Sequence, residues 1–164
     1  MRPSSIVWLG LVAVACAPKS DTSTSAAAPG GLSAAALDSV KAVDAAFAAG
    51  VNAKDTAAVF AAYAPDAKLM PPDSPILEGA NGHAVIAGLI AGGASDMTLT
   101  PNTVYGVGDL AYIVGTATFK MGGSSETVKY AEVIRRGADG KWRYVVDMFS
   151  GVAPPAPAAP AKKH

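Results

Sequence analysis

The chain has 164 residues, 51% of them hydrophobic and 16% charged, and thirteen basic residues balance thirteen acidic ones to a formal net charge of zero. That balance gives no electrostatic footprint for nucleic acid. The one cysteine excludes an intramolecular disulfide framework, and the two histidines, His83 and His164, are too few for a histidine-based metal site.

Arg2 precedes a short apolar run, Ile6 to Ala15. Its ten residues are about half of what a membrane-spanning helix needs. They have the length of a signal-peptide core, so residues 1–15 are expected to be a targeting segment. The run ends Ala13-Val14-Ala15-Cys16. The small-x-small triplet fits the cleavage site of an ordinary secreted protein. The lone cysteine directly after it resembles a bacterial lipobox, although Ala13 stands where leucine is usual. That resemblance implies cleavage before Cys16 and lipidation of its sulfur. The protein would then be held at the cell envelope, facing the periplasm or the cell surface, with the lipid anchor as its only membrane attachment. The alternative is a secreted protein with one free thiol. Residues 16–32 are rich in Ser, Thr, Ala, Pro and Gly, and residues 152–164 are rich in Ala and Pro. Neither buries enough apolar area to offset its ordering entropy, so they are expected to be a flexible tether and a tail. One domain, 33–151, lies between them.

Ser33 can cap a first helix with Leu37, Val40, Val43 and Phe47 at spacings of three and four, weakening at Gly50 and Asn52. Asp55 can cap a second, with Val59, Phe60 and Tyr63 on one face, stopped before Pro65. Asn81 can cap a third, with Val85, Ile86, Leu89 and Ile90 inward, ended by Gly92-Gly93. Strand patterns are Asp66 to Met70, Met97 to Tyr105, Leu110 to Lys120, Thr127 to Arg136 and Trp142 to Phe149, the last four joined by short Gly-containing breaks. Helices first and hairpins last predict an α+β fold, an antiparallel sheet with helices on one face.

Tight turns at 137–140 and 122–125 would pair Tyr130 with Asp147, Glu132 with Val145, Ala117 with Tyr130 and Gly115 with Glu132. One face then carries Ile113, Gly115, Ala117, Phe119, Val128, Tyr130, Glu132, Val145, Asp147 and Phe149. Small residues opposite larger ones there predict a pocket floor. Glu132 and Asp147 would lie diagonally on it, roughly 7–8 Å apart at the backbone. Two acids beside Tyr130 in an apolar cup would have raised pKa values suited to hydrogen bonding or proton transfer. Pairing with Lys129, Arg135 or Arg143 is the alternative. The opposite face, with Tyr112, Val114, Ala131, Val133, Trp142, Tyr144, Val146 and Met148, is also apolar, which predicts a homodimer through this outer face. A one-residue slip in either turn would exchange the faces.

Gly106-Val107-Gly108-Asp109-Leu110-Ala111 fits a dinucleotide-binding pattern, but a strand follows it where that pattern needs a helix. No motif calls for a cofactor. His83 is expected to be solvated in the first turn of the third helix, and Met70-Pro71-Pro72-Asp73-Ser74-Pro75 to be a stiff loop that could rim a cavity.

Residues 51–86 and 128–150 together resemble the SnoaL-like and ketosteroid-isomerase-like branch of the nuclear transport factor 2-like superfamily, and in particular its large bacterial branch. The resemblance rests on Asn52-x-x-Asp55, Tyr63-x-Pro65-Asp66-Ala67, Gly79 after the proline loop, and Gly140-Lys141-Trp142 before the last strand. It implies a cone, a strongly curved antiparallel sheet wrapped around about three helices and open on an apolar cavity, in a family whose members often dimerise. In ketosteroid isomerases a catalytic aspartate falls where Pro71 stands here, with Asp73 two residues late. Phe47 replaces their oxyanion-hole tyrosine, and Glu132 aligns roughly with their second, protonated aspartate. The superfamily mixes isomerases, cyclases, dehydratases and binding modules, so the fold does not fix a function. With two of the three isomerase roles missing, the expected function is binding of a small, largely apolar molecule, with Phe47, Tyr63, Met70 and Tyr130 lining the cavity beside Glu132 and Asp147. Catalysis is left open. An acid/base isomerase, cyclase or dehydratase using Glu132 or Asp147, and a non-catalytic dimeric interaction module, are the alternatives.

Overall fold

In the computed structural model, which describes residues 30–152, Ser33 opens the first helix as its spacing predicts. Its Oγ accepts the Ala36 N–H at 3.3 Å, and α1 runs Ala34–Ala53. The expected leader, Cys16, most of the expected tether and residues 153–164 lie outside the described residues. Val40, Val43, Asp44, Phe47, Gly50 and Val51 form the buried stripe of α1. The helix passes Gly50 and Asn52 because both serve tertiary contacts. A Cβ on Gly50 would lie 2.7 Å from Val59 Cγ2, so glycine lets α2, Thr56–Ala61, cross closely. Asn52 hydrogen-bonds the backbone of Met97 in both directions, at 3.0 and 2.7 Å. Asp55 caps α2 through the Ala58 N–H at 2.9 Å.

The next two elements differ from expectation. Strand β1 is Tyr63–Met70, so it starts three residues before Asp66, and Tyr63 is a strand residue rather than part of the helix. The Tyr144 N–H donates to Ala62 O at 2.9 Å and draws the chain into the sheet ahead of Pro65. Proline has no N–H for the ladder, and pairing is irregular between Tyr63 and Lys68. The proline loop then leads into β2, Leu77–Glu78, which pairs with β1. Gly79, in the left-handed region at φ 53°, swings the chain into α3, Ala80–Ala91. Asn81 is therefore already inside the helix and caps nothing.

Strands β3 (Ser95–Val107), β4 (Leu110–Met121), β5 (Ser124–Arg136) and β6 (Trp142–Gly151) complete a six-stranded sheet of order β2-β1-β6-β5-β4-β3. All pairings are antiparallel except β1 with β6, which is parallel. The fold is the expected α+β architecture, a curved sheet holding helices against its inner face. Leu32 docks on the β3 edge, its N–H donating to Gly106 O at 2.8 Å, and it packs on the core. The folded part thus includes the end of the segment expected as tether, and that end covers an otherwise open strand edge.

Both hairpin registers shift. The β4–β5 turn is only Gly122-Gly123, both at positive φ, so Gly115 pairs with Tyr130 and Ile113 with Glu132. That is a slip of two, which keeps every side chain on its expected face. The β5–β6 hairpin slips by one, pairing Arg136 with Trp142 and Ile134 with Tyr144. Beside it, Trp142 and Tyr144 turn to the core face instead of the outer face; Tyr144 is 1% exposed. An irregularity between Val133 and Ile134 adds a second residue, so Glu132 lies directly opposite Asp147 and Tyr130 opposite Phe149.

Candidate functional site

At the deep end of the sheet's inner face, β5 and β6 present Glu132 and Asp147 side by side, and α1 lowers Asp44 onto them. All three are buried. Asp44 accepts the Tyr130 hydroxyl on Oδ2 and the Tyr144 hydroxyl on Oδ1, both at 2.9 Å. Tyr63 Oη donates to Asp147 Oδ2 at 2.6 Å. Phe47, one turn beyond Asp44, meets Tyr63 and Tyr144 edge-on at 6.2 and 6.1 Å between ring centroids. Gly115 makes room for the Tyr130 phenol: a Cβ there would fall 2.5 Å from its hydroxyl oxygen and 2.5 Å from Thr100 O.

Burial pushes Glu132 up to about 11, and the nearby charges of Asp44 and Asp147 add to it, so Glu132 is a neutral acid at pH 7. Its interaction with the Asp44 carboxylate favours the same neutral form. Burial also raises Asp44, against the opposing hydrogen bonds from Glu132, Tyr144 and Tyr130. Asp147 is pushed up to about 6 by burial, offset in part by the Tyr63 hydrogen bond. Tyr63, Tyr130 and Tyr144 are all raised, first by burial and then by the carboxylates, so each keeps its proton. Glu132 Oε2 is buried with no hydrogen-bond partner.

Above this cluster opens a cavity of about 70 Å³. Its walls include Phe47, Ile86, Leu89, Met97 and Phe119, and its polar end is Tyr130, Glu132 and Asp147. Four of the expected site residues thus converge: Phe47, Tyr130, Glu132 and Asp147. The acids are not paired with Lys129, Arg135 or Arg143; Arg135 binds Asp66 and Arg143 binds Asp139. Tyr63 stands behind Asp147 and lines a separate hollow of about 10 Å³ with Leu69 and His83. Met70 does not reach the cavity. Strand alternation turns Leu69 inward, so Met70 faces outward near Val114 and Met148. His83 is half-buried, its ring stacked on a likewise half-buried Phe60 at 4.2 Å between centroids. Among the described residues no group of three or more His, Cys, Asp or Glu is placed to hold a metal ion.

Asp44 and Tyr144 are the members of the cluster that sequence reasoning missed. Asp44 carried a signal: it continues the stripe Val40, Phe47, Val51 at spacings of four, three and four, and an acid on such a stripe is buried. Tyr144 carried none, because its face depends on the hairpin slip. The cluster can hold protons, accept hydrogen bonds from a ligand, and exchange a proton at Asp147 near neutral pH.

Residues 43–145 match the model of the SnoaL-like domain family. No curated protein matches the chain. Among solved structures it is similar to a ketosteroid isomerase-like protein from Erwinia carotovora atroseptica. That pair shares 23% identity over 72% of this chain and 97% of the other, with a TM-score of 0.58. It is similar too to an NTF2-like protein with a cystatin-like fold from Novosphingobium aromaticivorans, at 20% identity over 73% and 83% of the two chains and a TM-score of 0.61. A third, a protein of unknown function with a cystatin-like fold from Nostoc punctiforme, shares 16% identity over 79% and 97%, with a TM-score of 0.64. At these identities the structures speak for the fold alone. With the family match across more than half of its length, the chain belongs to the SnoaL-like domain family.

Proposed function

We propose that this protein is a lipid-anchored cell-envelope domain that binds a small, largely apolar molecule in the cone cavity. The observation that carries the reading is the cavity itself. It has apolar walls, a single polar end, and no cationic side chain on its lining. Its modest volume favours a compact ligand over one of steroid size. The anchor rests on the position of Cys16 directly after Ala13-Val14-Ala15. Equilibrium binding of toluene and similar small apolar probes to the mature protein tests the cavity. Saturable binding that is lost in Phe47→Ala is the expected result, and no binding across the panel would remove the proposal. The intact mass of membrane-fraction protein tests the anchor: an acylated mature chain starting at Cys16 is expected, and a Cys16→Ala variant is expected in the soluble fraction.

A second reading has its own observation in the split between Glu132, about 11, and Asp147, about 6. A neutral acid beside a carboxylate that titrates near neutrality is the pairing an acid/base enzyme of the isomerase, cyclase or dehydratase type uses. Turnover of any substrate found should then follow an ionisation near 6 and collapse in Asp147→Asn. A pH-independent rate would leave binding as the function.

A further inference from the structure

The hydrogens at the polar end of the cavity are already committed. Tyr130 and Tyr144 donate to Asp44, Tyr63 donates to Asp147, and a neutral Glu132 has the Asp44 carboxylate as its neighbour to take its proton's hydrogen bond. Each phenol has one hydrogen to give, and a carboxylate has none. What faces the cavity is therefore acceptor capacity only. Glu132, 4% exposed, lines this end of the cavity, and its Oε2, buried beneath the cavity surface, has no hydrogen-bond partner. The titratable groups around it are Asp44 on α1, Tyr63 on β1, Tyr130 and Glu132 on β5, Tyr144 and Asp147 on β6, and His83 on α3 beside Tyr63, whereas β3 and β4 line the cavity with Met97, Leu99, Ala117 and Phe119. No Lys or Arg lines the cavity. Buried acids with no cation and an unmet acceptor are left without a complement that the chain itself supplies.

We infer that the polar end of this cavity receives the head of a compact organic ammonium ion, whose N–H groups donate to the carboxyl groups of Glu132 and Asp147 while its apolar body lies among Phe47, Ile86, Leu89 and Phe119. This rests on the proposed ligand-binding role of the cavity and narrows it to one chemical class. An ammonium head has donors and no acceptor, which matches a site with acceptors and no donor. It also neutralises carboxylate charge that the fold otherwise keeps out of water. A carbonyl-bearing ligand fits poorly, because accepting a hydrogen bond here would require a phenol or Glu132 to release Asp44 or Asp147.

Four probes of similar size separate the possibilities on the full mature protein: toluene, benzyl alcohol, acetophenone and benzylamine, each titrated by calorimetry at pH 7.5. Benzylamine is expected to bind at least tenfold more tightly than the other three. It stays cationic from pH 5 to 7.5, so protonation of Asp147 is expected to weaken it roughly tenfold at pH 5 while leaving toluene unchanged. Asp147→Asn should abolish the amine preference and keep toluene binding. The pH series on the unaltered protein reads the same effect should that variant fold poorly. Toluene or acetophenone binding as tightly as benzylamine, or amine affinity flat with pH, would overturn the ammonium assignment and leave the cavity proposal standing. Binding of none of the four would overturn both.

Discussion

Two phenols end on one carboxylate, Tyr130 on Oδ2 and Tyr144 on Oδ1 of Asp44. A hydrogen bond to a buried charged group contributes about 1.5–3 kcal/mol, and Tyr144 is 1% exposed, so water cannot replace its hydroxyl. Tyr144→Phe is therefore expected to lower the unfolding free energy by about 1.5–3 kcal/mol in urea titrations and to raise Asp44 further. A loss below about 0.5 kcal/mol would mean the hydroxyl does not hold the carboxylate. The same acids set a pH dependence of unusual sign. Asp147 lies near 6 in the folded state, above the ordinary aspartate value of about 3.9. Below that ordinary value its contribution to stability is fully present, and it is lost as pH rises through about 6. Glu132, about 11, extends the same decline upward. Surface acids act oppositely: Asp66, Asp96 and Asp139 are lowered, chiefly by hydrogen bonds to Arg135, Lys120 and Arg143, and weaken only in stronger acid. The thermal midpoint is thus expected to fall from pH 4.5 to 7, and Asp147→Asn to flatten that slope. A midpoint rising over this interval in the unaltered protein would contradict the burial of these acids.

At the scale of elements, Asn52 is the latch between α1 and β3. Its amide satisfies both the N–H and the C=O of Met97, and Met97 forms part of the cavity wall. Asn52→Ala leaves both groups without that partner, and a loss of about 1–3 kcal/mol is expected, with weaker ligand binding as the wall loosens. Unchanged stability and affinity would show that water substitutes for the amide. The contrast between what local patterns reveal and what they conceal is clear along the chain. Caps at Ser33 and Asp55, the helical stripes and the glycine turns are written in neighbouring residues, so the α+β order was legible. The parallel β1–β6 pair, the Gly79 entry to α3 and the irregularity between Val133 and Ile134 depend on partners far off in sequence. The site shows the same division. Glu132 and Asp147 kept their shared face because two one-residue shifts sum to an even slip, whereas Tyr144, between the turn and the irregularity, changed sides. Met70 was misplaced for a simpler reason: alternation along β1 gives the inward place to Leu69.

Across the whole molecule the sheet's two faces divide the work. The inner face spends its polarity on the acid cluster, while the outer face leaves Tyr105, Leu110, Tyr112, Val114 and Met148 more than two-fifths exposed. An antiparallel sheet facing water on one side normally alternates to polar residues there, and contiguous exposed apolar residues are characteristic of interaction surfaces. We therefore propose a second copy of this chain on that face, giving a homodimer. The charge balance supports self-association, since residues 16–164 lose only Arg2 from thirteen basic against thirteen acidic residues, and a formal charge of −1 gives little repulsion between copies. In such a dimer two lipid anchors at Cys16 would serve one particle, and a paired anchor leaves a membrane far more slowly than a single chain. Sedimentation equilibrium of the mature, detergent-free Cys16→Ala chain at roughly 0.1 mM would read as a dimer for any dissociation constant near 1 μM. Tyr112→Glu with Val114→Glu is expected to give monomers that still bind cavity probes, because these side chains project away from Glu132 and Asp147. A monomer in the unaltered face at that concentration, or a double variant that remains dimeric, would remove the outer sheet face as the interface.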